Sequence, residues 1–265
     1  MRHLLLLSTG LLFFACVQTV PITGRKQLSL IPEQEMISMS LTNYSDFLKT
    51  NKTLPDTDPR AQQVKAVGTK IQRAVEQFMK DKGLSKRLNG YTWEFHTVED
   101  ATVNAWCMPG GKVVVYTGLL PITGDEQSLA IVMGHEIAHA VARHGNERMS
   151  DALLVQTGGF VLSTALQNKP AQTQNIFLQS YGIGSQLGML GYSRRHESEA
   201  DKMGLVFAAM AGYDPNTAIA FWERMAASGK GQKPPELLST HPSDETRIKD
   251  LKAFMPEAMK YYKKS

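Results

Sequence analysis

Three observations predict an α+β fold, mostly helical, with a small antiparallel sheet. Apolar residues recur at helical spacing from Val64 to Phe78. Alternating β-type segments fill residues 91–116. From about residue 123 onward nearly every segment is helical in pattern. The chain has 265 residues, 42% of them hydrophobic, enough for one large domain or one domain with a small appendage. A net charge of +4 is too mild to argue for a nucleic-acid partner.

The first element reads as an export signal. Arg2 and His3 precede an apolar run from Leu4 to Ala15, shorter than the roughly 20 residues that span a bilayer. Phe13-Phe14-Ala15-Cys16 then has the form of a bacterial lipobox, although Phe stands where Leu and a smaller residue are usual. Cys16 would be the lipidated first residue of the mature chain and would tie it to a membrane. Cys107, the remaining cysteine, reads as a buried strand residue, so no intramolecular disulfide is expected. Residues 17–57, interrupted by Pro21, Gly24, Pro32 and Pro55, read as an extended arm with short helical pieces.

Asp58-Pro59 starts a helix as N-cap and first-turn proline, and Gly83 ends it. Val64, Val67, Ile71, Val75 and Phe78 form its buried stripe. Tyr91 to Val98 reads as a strand with Tyr91, Trp93 and Phe95 on one face. Asn104 to Met108 and Lys112 to Tyr116 read as a hairpin turning at Pro109-Gly110-Gly111.

The next helix carries the chemistry. Thr123 and Glu126 have capping-box spacing, and the run through Leu129, Ile131, Val132 and Met133 leads into His135-Glu136-Ile137-Ala138-His139. Arg143, His144 and Gly145 read as its C-terminal end, with the basic pair facing the helix dipole. His135 and His139 differ by about 40° around the axis, so both rings can reach one zinc ion, and Glu136 lies beside them without being a ligand. This H-E-x-x-H spacing is expected by chance only ~0.01 times in a chain of this composition. His144 falls about 180° away from His135 and is set aside as a third ligand. Glu197 and Asp201 share a face of a later helix, where one could bind the metal and the other accept a ring N–H of a ligating histidine. Taken alone, that segment would read as a solvated, charged helix start. His3, His96 and His196 have no partner that the sequence names.

The pair His135-Glu136-Ile137-Ala138-His139 and Glu197-Ser198-Glu199-Ala200-Asp201 closely resembles the gluzincin endopeptidases related to the CAAX prenyl proteases, the HtpX, BepA and LoiP group. Asn104-Ala105-Trp106, Ala211-Gly212-Tyr213-Asp214-Pro215, Thr240-His241-Pro242-Ser243 with Arg247, and Thr23-Gly24-Arg25 add to the likeness, which covers about residues 20–250. The resemblance implies a zincin-like core holding one Zn2+ per chain. Glu197 would be the third ligand, Asp201 would hold a ligand from outside, and Glu136 would be the general base. His241 would approach the metal as a removable fourth ligand or as a transition-state donor, the donor role being favoured, with Arg247 as its partner. The extra membrane spans of some members are absent, and the longest internal apolar stretch, 152–166, is too short to span. The expected organisation is therefore a signal peptide at 1–15, a lipid-anchored arm at 16–57 and a metallopeptidase domain at 58–265. The expected function is hydrolysis of misfolded or misassembled envelope proteins on the periplasmic side, at the outer membrane by preference. An assembly factor or chaperone with little proteolysis is the alternative.

Overall fold

The protein is described by a computed structural model covering residues 17–157, 170–181, 193–228, 236–241 and 245–263. The expected signal peptide, Cys16, Pro242-Ser243 and most of 152–166 fall outside these residues. Among the described residues no helix is long and apolar enough to cross a membrane.

The arm begins with a two-stranded antiparallel ribbon, β1 (Val17–Thr19) and β2 (Lys26–Leu28). It continues in one helix of 18 residues, α1 (Glu33–Thr50), and not in short helical pieces. Pro32 takes the N-cap position of that helix, where a missing N–H costs nothing, so the proline opens the helix instead of interrupting it.

Helix α2 (Pro59–Asp81) starts as expected, with Asp58 accepting from the Arg60 N–H. All five stripe residues are fully or almost fully buried. At about 1.5–3 kcal/mol for each large apolar side chain taken out of water, this stripe anchors the helix.

Three strands follow: β3 (Glu94–Val98), β4 (Ala105–Met108) and β5 (Lys112–Tyr116). β4 and β5 form the expected hairpin, and Gly110 and Gly111 supply its two positive φ angles of 83° and 79°. The sheet order is β3-β5-β4, and β3 pairs with β5 in parallel. The sheet is therefore mixed and not purely antiparallel. After β3 the chain crosses to the far edge to lay down β4, and the tight turn returns β5 between the other two.

A one-turn helix, Leu120–Thr123, precedes α3 (Glu126–Ala142). Asp125, not Thr123, caps α3 by accepting from Ser128 N at 2.7 Å, while the Thr123 hydroxyl donates to Leu120 O. From Ser128 to Ala142 every residue of α3 is buried, the pattern of a helix at the centre of a core. Its last carbonyls are satisfied from outside. Arg87 donates to Val141 O and Ala142 O, and Gln27 of the arm also donates to Ala142 O.

Arg143 in the left-handed conformation (φ 65°) ends α3, and α4 (His144–Thr157) starts at once. Gly145 thus lies inside the next helix and is not the cap of the first. A Cβ there would come within 2.1 Å of the Tyr181 ring, so close packing requires the glycine. Helices α5 (Pro170–Ser180), α6 (Arg194–Met210), α7 (Thr217–Ser228), α8 (Glu236–Thr240) and α9 (Glu245–Ala258) complete the described chain.

Helix α6 crosses α3 where two glycines meet. A Cβ on Gly134 would sit 3.0 Å from Gly204 O, and one on Gly204 would sit 2.8 Å from the His135 backbone N. The missing side chains let the two backbones approach closely and set α6 directly against the histidine pair.

Candidate metal centre

His135 and His139 project from one face of buried α3, with their Nε2 atoms 3.0 Å apart. Ser193 caps α6 by accepting from His196 N, and one turn into the helix Glu197 faces the two rings. Its oxygens lie 3.4 Å from His135 Nε2 and 3.4 Å from His139 Nε2. His241, directly after α8, places Nδ1 3.2 Å from His135 Nε2 and 3.0 Å from Glu197 Oε1. One donor atom from each of these four residues falls within 4.8 Å of the others, and all four residues are buried.

The hydrogen-bond network assigns the ring tautomers. His135 Nδ1 is 2.9 Å from Asp201 Oδ1, so its hydrogen points there and Nε2 carries a bare lone pair. Arg247 Nη2 is also 3.3 Å from that Nδ1, but with both atoms as donors this is proximity and not a bond. His139 Nδ1 is 3.0 Å from His144 Nδ1, and His144 Nε2 is 3.1 Å from Glu199 Oε2. The carboxylate takes the hydrogen of His144, which leaves its Nδ1 to accept the hydrogen of His139. His139 Nε2 is then also bare. Two bare nitrogens 3.0 Å apart beside a carboxylate repel or waste their lone pairs unless a cation lies between them. Two imidazoles, one carboxylate and a further nitrogen form a donor set that suits zinc.

Glu136 stands apart from this set. Its Oε1 is buried, makes no hydrogen bond and lies 3.5 Å from His241 Nε2. Burial pushes this carboxyl up to about 7. Glu197 behaves in the opposite way. Burial pushes it up, but the influence of His241, and after it of the His135 and His139 rings beside it, outweighs that and holds it well below the usual carboxylate range. Burial keeps His139 well below the ordinary imidazole range and lowers His144 to about 4.

Arg247 of α9 closes one side. It donates to both oxygens of Asp201, at 2.8 and 2.6 Å, and to His241 O at 3.3 Å. Its guanidinium carbon stacks 3.3 Å from the centre of the Trp222 ring.

The residues singled out from the sequence, His135, Glu136, His139, Glu197, Asp201, His241 and Arg247, thus meet in one place. Several neighbours were not legible there. His144 is no dipole partner of α3, because it opens α4 and turns back onto His139. His196 Nε2 meets Glu147 Oε2 at 3.0 Å, and its ring stacks on His144 with centroids 4.6 Å apart. His96 Nδ1 pairs with the Tyr44 hydroxyl at 2.5 Å. Glu199 and Arg25 lay within quoted motifs, but nothing in their spacing pointed to the metal. Cys107 is buried on β4, where burial pushes its thiol well up.

Two long helices packed together, one carrying the two histidines of H-E-x-x-H and the other a glutamate that faces them, form the arrangement of the gluzincin class of zinc metalloendopeptidases. This chain belongs to peptidase family M48, whose family model matches residues 65–255. It is 32% identical to the mitochondrial metalloendopeptidase OMA1 of Schizosaccharomyces pombe, over 96% of this chain and 71% of that protein. It is 34% identical to the human mitochondrial metalloendopeptidase OMA1, over 96% of this chain and 49% of that one. The beta-barrel assembly-enhancing protease of Yersinia pestis is 27% identical, over 88% and 50%. The chain therefore spans about half the length of the human and Yersinia relatives.

Proposed function

We propose that this endopeptidase hydrolyses misfolded or misassembled proteins of the cell envelope, with Glu136 as the base that activates water. The observation that carries the reading is the buried Glu136 oxygen without a hydrogen bond, raised to about 7 beside the metal donors. A carboxylate placed there, unbonded and beside the convergent donors, can take a proton from water and return it to the leaving amine. His135, His139 and Glu197 would hold the zinc. When bound, the metal supplies the Lewis acidity that makes water nucleophilic and polarises the scissile carbonyl. Asp201, fixed by Arg247, keeps the His135 hydrogen on Nδ1 and its Nε2 turned inward. Strand β4 is an edge of its sheet, and an extended substrate would add along residues 102–108 by backbone hydrogen bonds.

The convergence of His241 Nδ1 with the other donors favours a second role for that residue, a fourth ligand that must withdraw before substrate binds.

The envelope assignment draws on the name of the Yersinia relative, a beta-barrel assembly-enhancing protease, and on the lipobox-like sequence ending at Cys16. In this reading the chain is a lipoprotein facing the periplasm. The relatives named for mitochondria set the competing address.

Glu136→Gln tests the chemistry. Casein cleavage is expected to fall about 10²–10⁴-fold, the usual worth of a positioned acid–base group, with zinc still near one per chain. Undiminished cleavage would remove Glu136 from the role of base. If wild type and variant promote envelope assembly equally and neither cleaves, the assembly-factor reading replaces this one. Cys16→Ser tests the anchor and should release the protein from carbonate-washed membranes. Retention on those membranes would refute the anchor.

A further inference from the structure

Arg25 lies in the N-terminal arm, far in sequence from every metal donor, yet its side chain reaches the back of the site. Its Nε donates to Glu199 Oε1 at 2.7 Å, and Nη1 and Nη2 grip Glu147 at 2.7 and 2.6 Å. The Thr23 hydroxyl adds a bond to Glu199 Oε1 at 3.0 Å. Glu199 in turn takes the Nε2 hydrogen of His144, and His144 Nδ1 accepts from His139 Nδ1. Glu147 holds His196, whose ring lies against His144 with 25° between the planes. One guanidinium thus fixes His144 twice, through its hydrogen-bond acceptor and through the ring stacked on it.

We propose that Arg25 is a positioning residue of the metal centre, orienting His139 through Glu199 and His144. The inference rests on His139 being a zinc ligand through Nε2. The ring hydrogens of His139 and His144 both point away from the metal donors. Arg25 and Thr23 donate inward to Glu199, which fixes the free oxygen that receives His144. That fixes His144 with Nδ1 bare, which fixes the His139 tautomer and aims Nε2 inward. Outer partners of this kind set ligand orientation and basicity, and losing one typically costs 10–100-fold in metal affinity. The arm becomes part of the site, so its docking and the metal's binding are linked. A merely structural ion pair would stabilise the arm and leave the metal unaffected.

The test compares zinc affinity, by chelator competition, in full-length wild type, Arg25→Met, Arg25→Lys, His144→Leu and the double variant Arg25→Met/His144→Leu. The visible spectrum of the cobalt-substituted forms reports ligand geometry independently of activity. Arg25→Met is expected to weaken zinc binding about 10-fold or more and to shift the cobalt bands. Arg25→Lys, which keeps the charge but not the fork, should recover part of the loss. Because Arg25 acts through His144, the double variant should bind zinc no more weakly than His144→Leu alone. Zinc affinity of Arg25→Met within about twofold of wild type, or fully additive losses in the double variant, would overturn the proposal. If His144→Leu does not fold, Glu199→Gln, of nearly the same shape, takes its place under the same criteria. Failure of wild type itself to bind stoichiometric zinc would instead refute the underlying metal-site reading.

Discussion

His135 and His139 lie one turn apart on the same buried helix, yet their outer nitrogens are held by opposite means. His135 meets a carboxylate directly, and Asp201 is clamped at both oxygens by Arg247. His139 meets a neutral imidazole, and its carboxylate, Glu199, stands one residue further out, held by Arg25. The first arm comes from the C-terminal helices α6 and α9. The second passes through α4 and α6 to the N-terminal arm. A charge in direct contact with a ring acts on it more strongly than one relayed through a neutral group, because Coulomb energy falls with distance. The two rings are therefore expected to differ in their tolerance of damage to the groups that stand behind them.

The largest effect is expected at the direct arm. Asp201→Asn removes the acceptor charge of His135 and the carboxylate that Arg247 grips at both oxygens, while the guanidinium, buried against Trp222, keeps Glu197 at 3.4 Å. Zinc affinity should fall 10–100-fold, and stability by about 3–5 kcal/mol, the usual result of breaking a buried ion pair. Chelator competition and urea unfolding of the metal-free protein measure the two losses. A smaller zinc loss in Asp201→Asn than in His144→Leu would reverse the ranking of the arms.

The third ring sharpens the contrast, because His241 follows the short α8 and is not carried on a long helix. His241→Ala is expected to loosen zinc and raise basal casein cleavage, since the convergent Nδ1 would no longer fill a coordination position. A fall of about 10²–10³-fold with zinc binding unchanged would instead assign His241 to transition-state donation.

The smallest effect concerns acid stability of the indirect arm. Burial raises the Glu147 carboxyl, but hydrogen bonds from Arg25 and His196 outweigh it and lower the group from 4.5 to about 2. A carboxylate lowered on folding stabilises the native state above its unfolded pKa and ceases to do so as pH falls through the folded value. This contribution is therefore complete above about pH 4.5 and lost toward pH 2. The thermal midpoint of wild type should fall more steeply over that window than that of Arg25→Met, which lacks the main partner. Parallel slopes would show that the ion pair does not carry this pH dependence.

Much of the centre was legible because its spacings are local. The i, i+4 pairs His135/His139 and Glu197/Asp201 place side chains on one helix face whatever surrounds them. Asp58-Pro59 and the stripe from Val64 to Phe78 mark a helix for equally local reasons. Pro32 misled, since a proline that interrupts a loop and one that opens a helix look alike in sequence. The capping pattern at Thr123 misled too, because Asp125 stands two residues on with an equally good capping side chain.

By itself the sequence determined the H-E-x-x-H helix, the face shared by Glu197 and Asp201 and the class of chemistry the histidine pair implies, all functions of helical period and residue type, while the answering role of Glu197 came from the likeness to the gluzincin endopeptidases. Only the tertiary structure decided that β3 lies parallel to β5, that Gly134 meets Gly204, and that Arg25 stands behind His139. These are meetings of segments far apart along the chain, set by how helices and strands pack. Periodicity fixes which face a side chain occupies, but not which distant residue will be brought against that face.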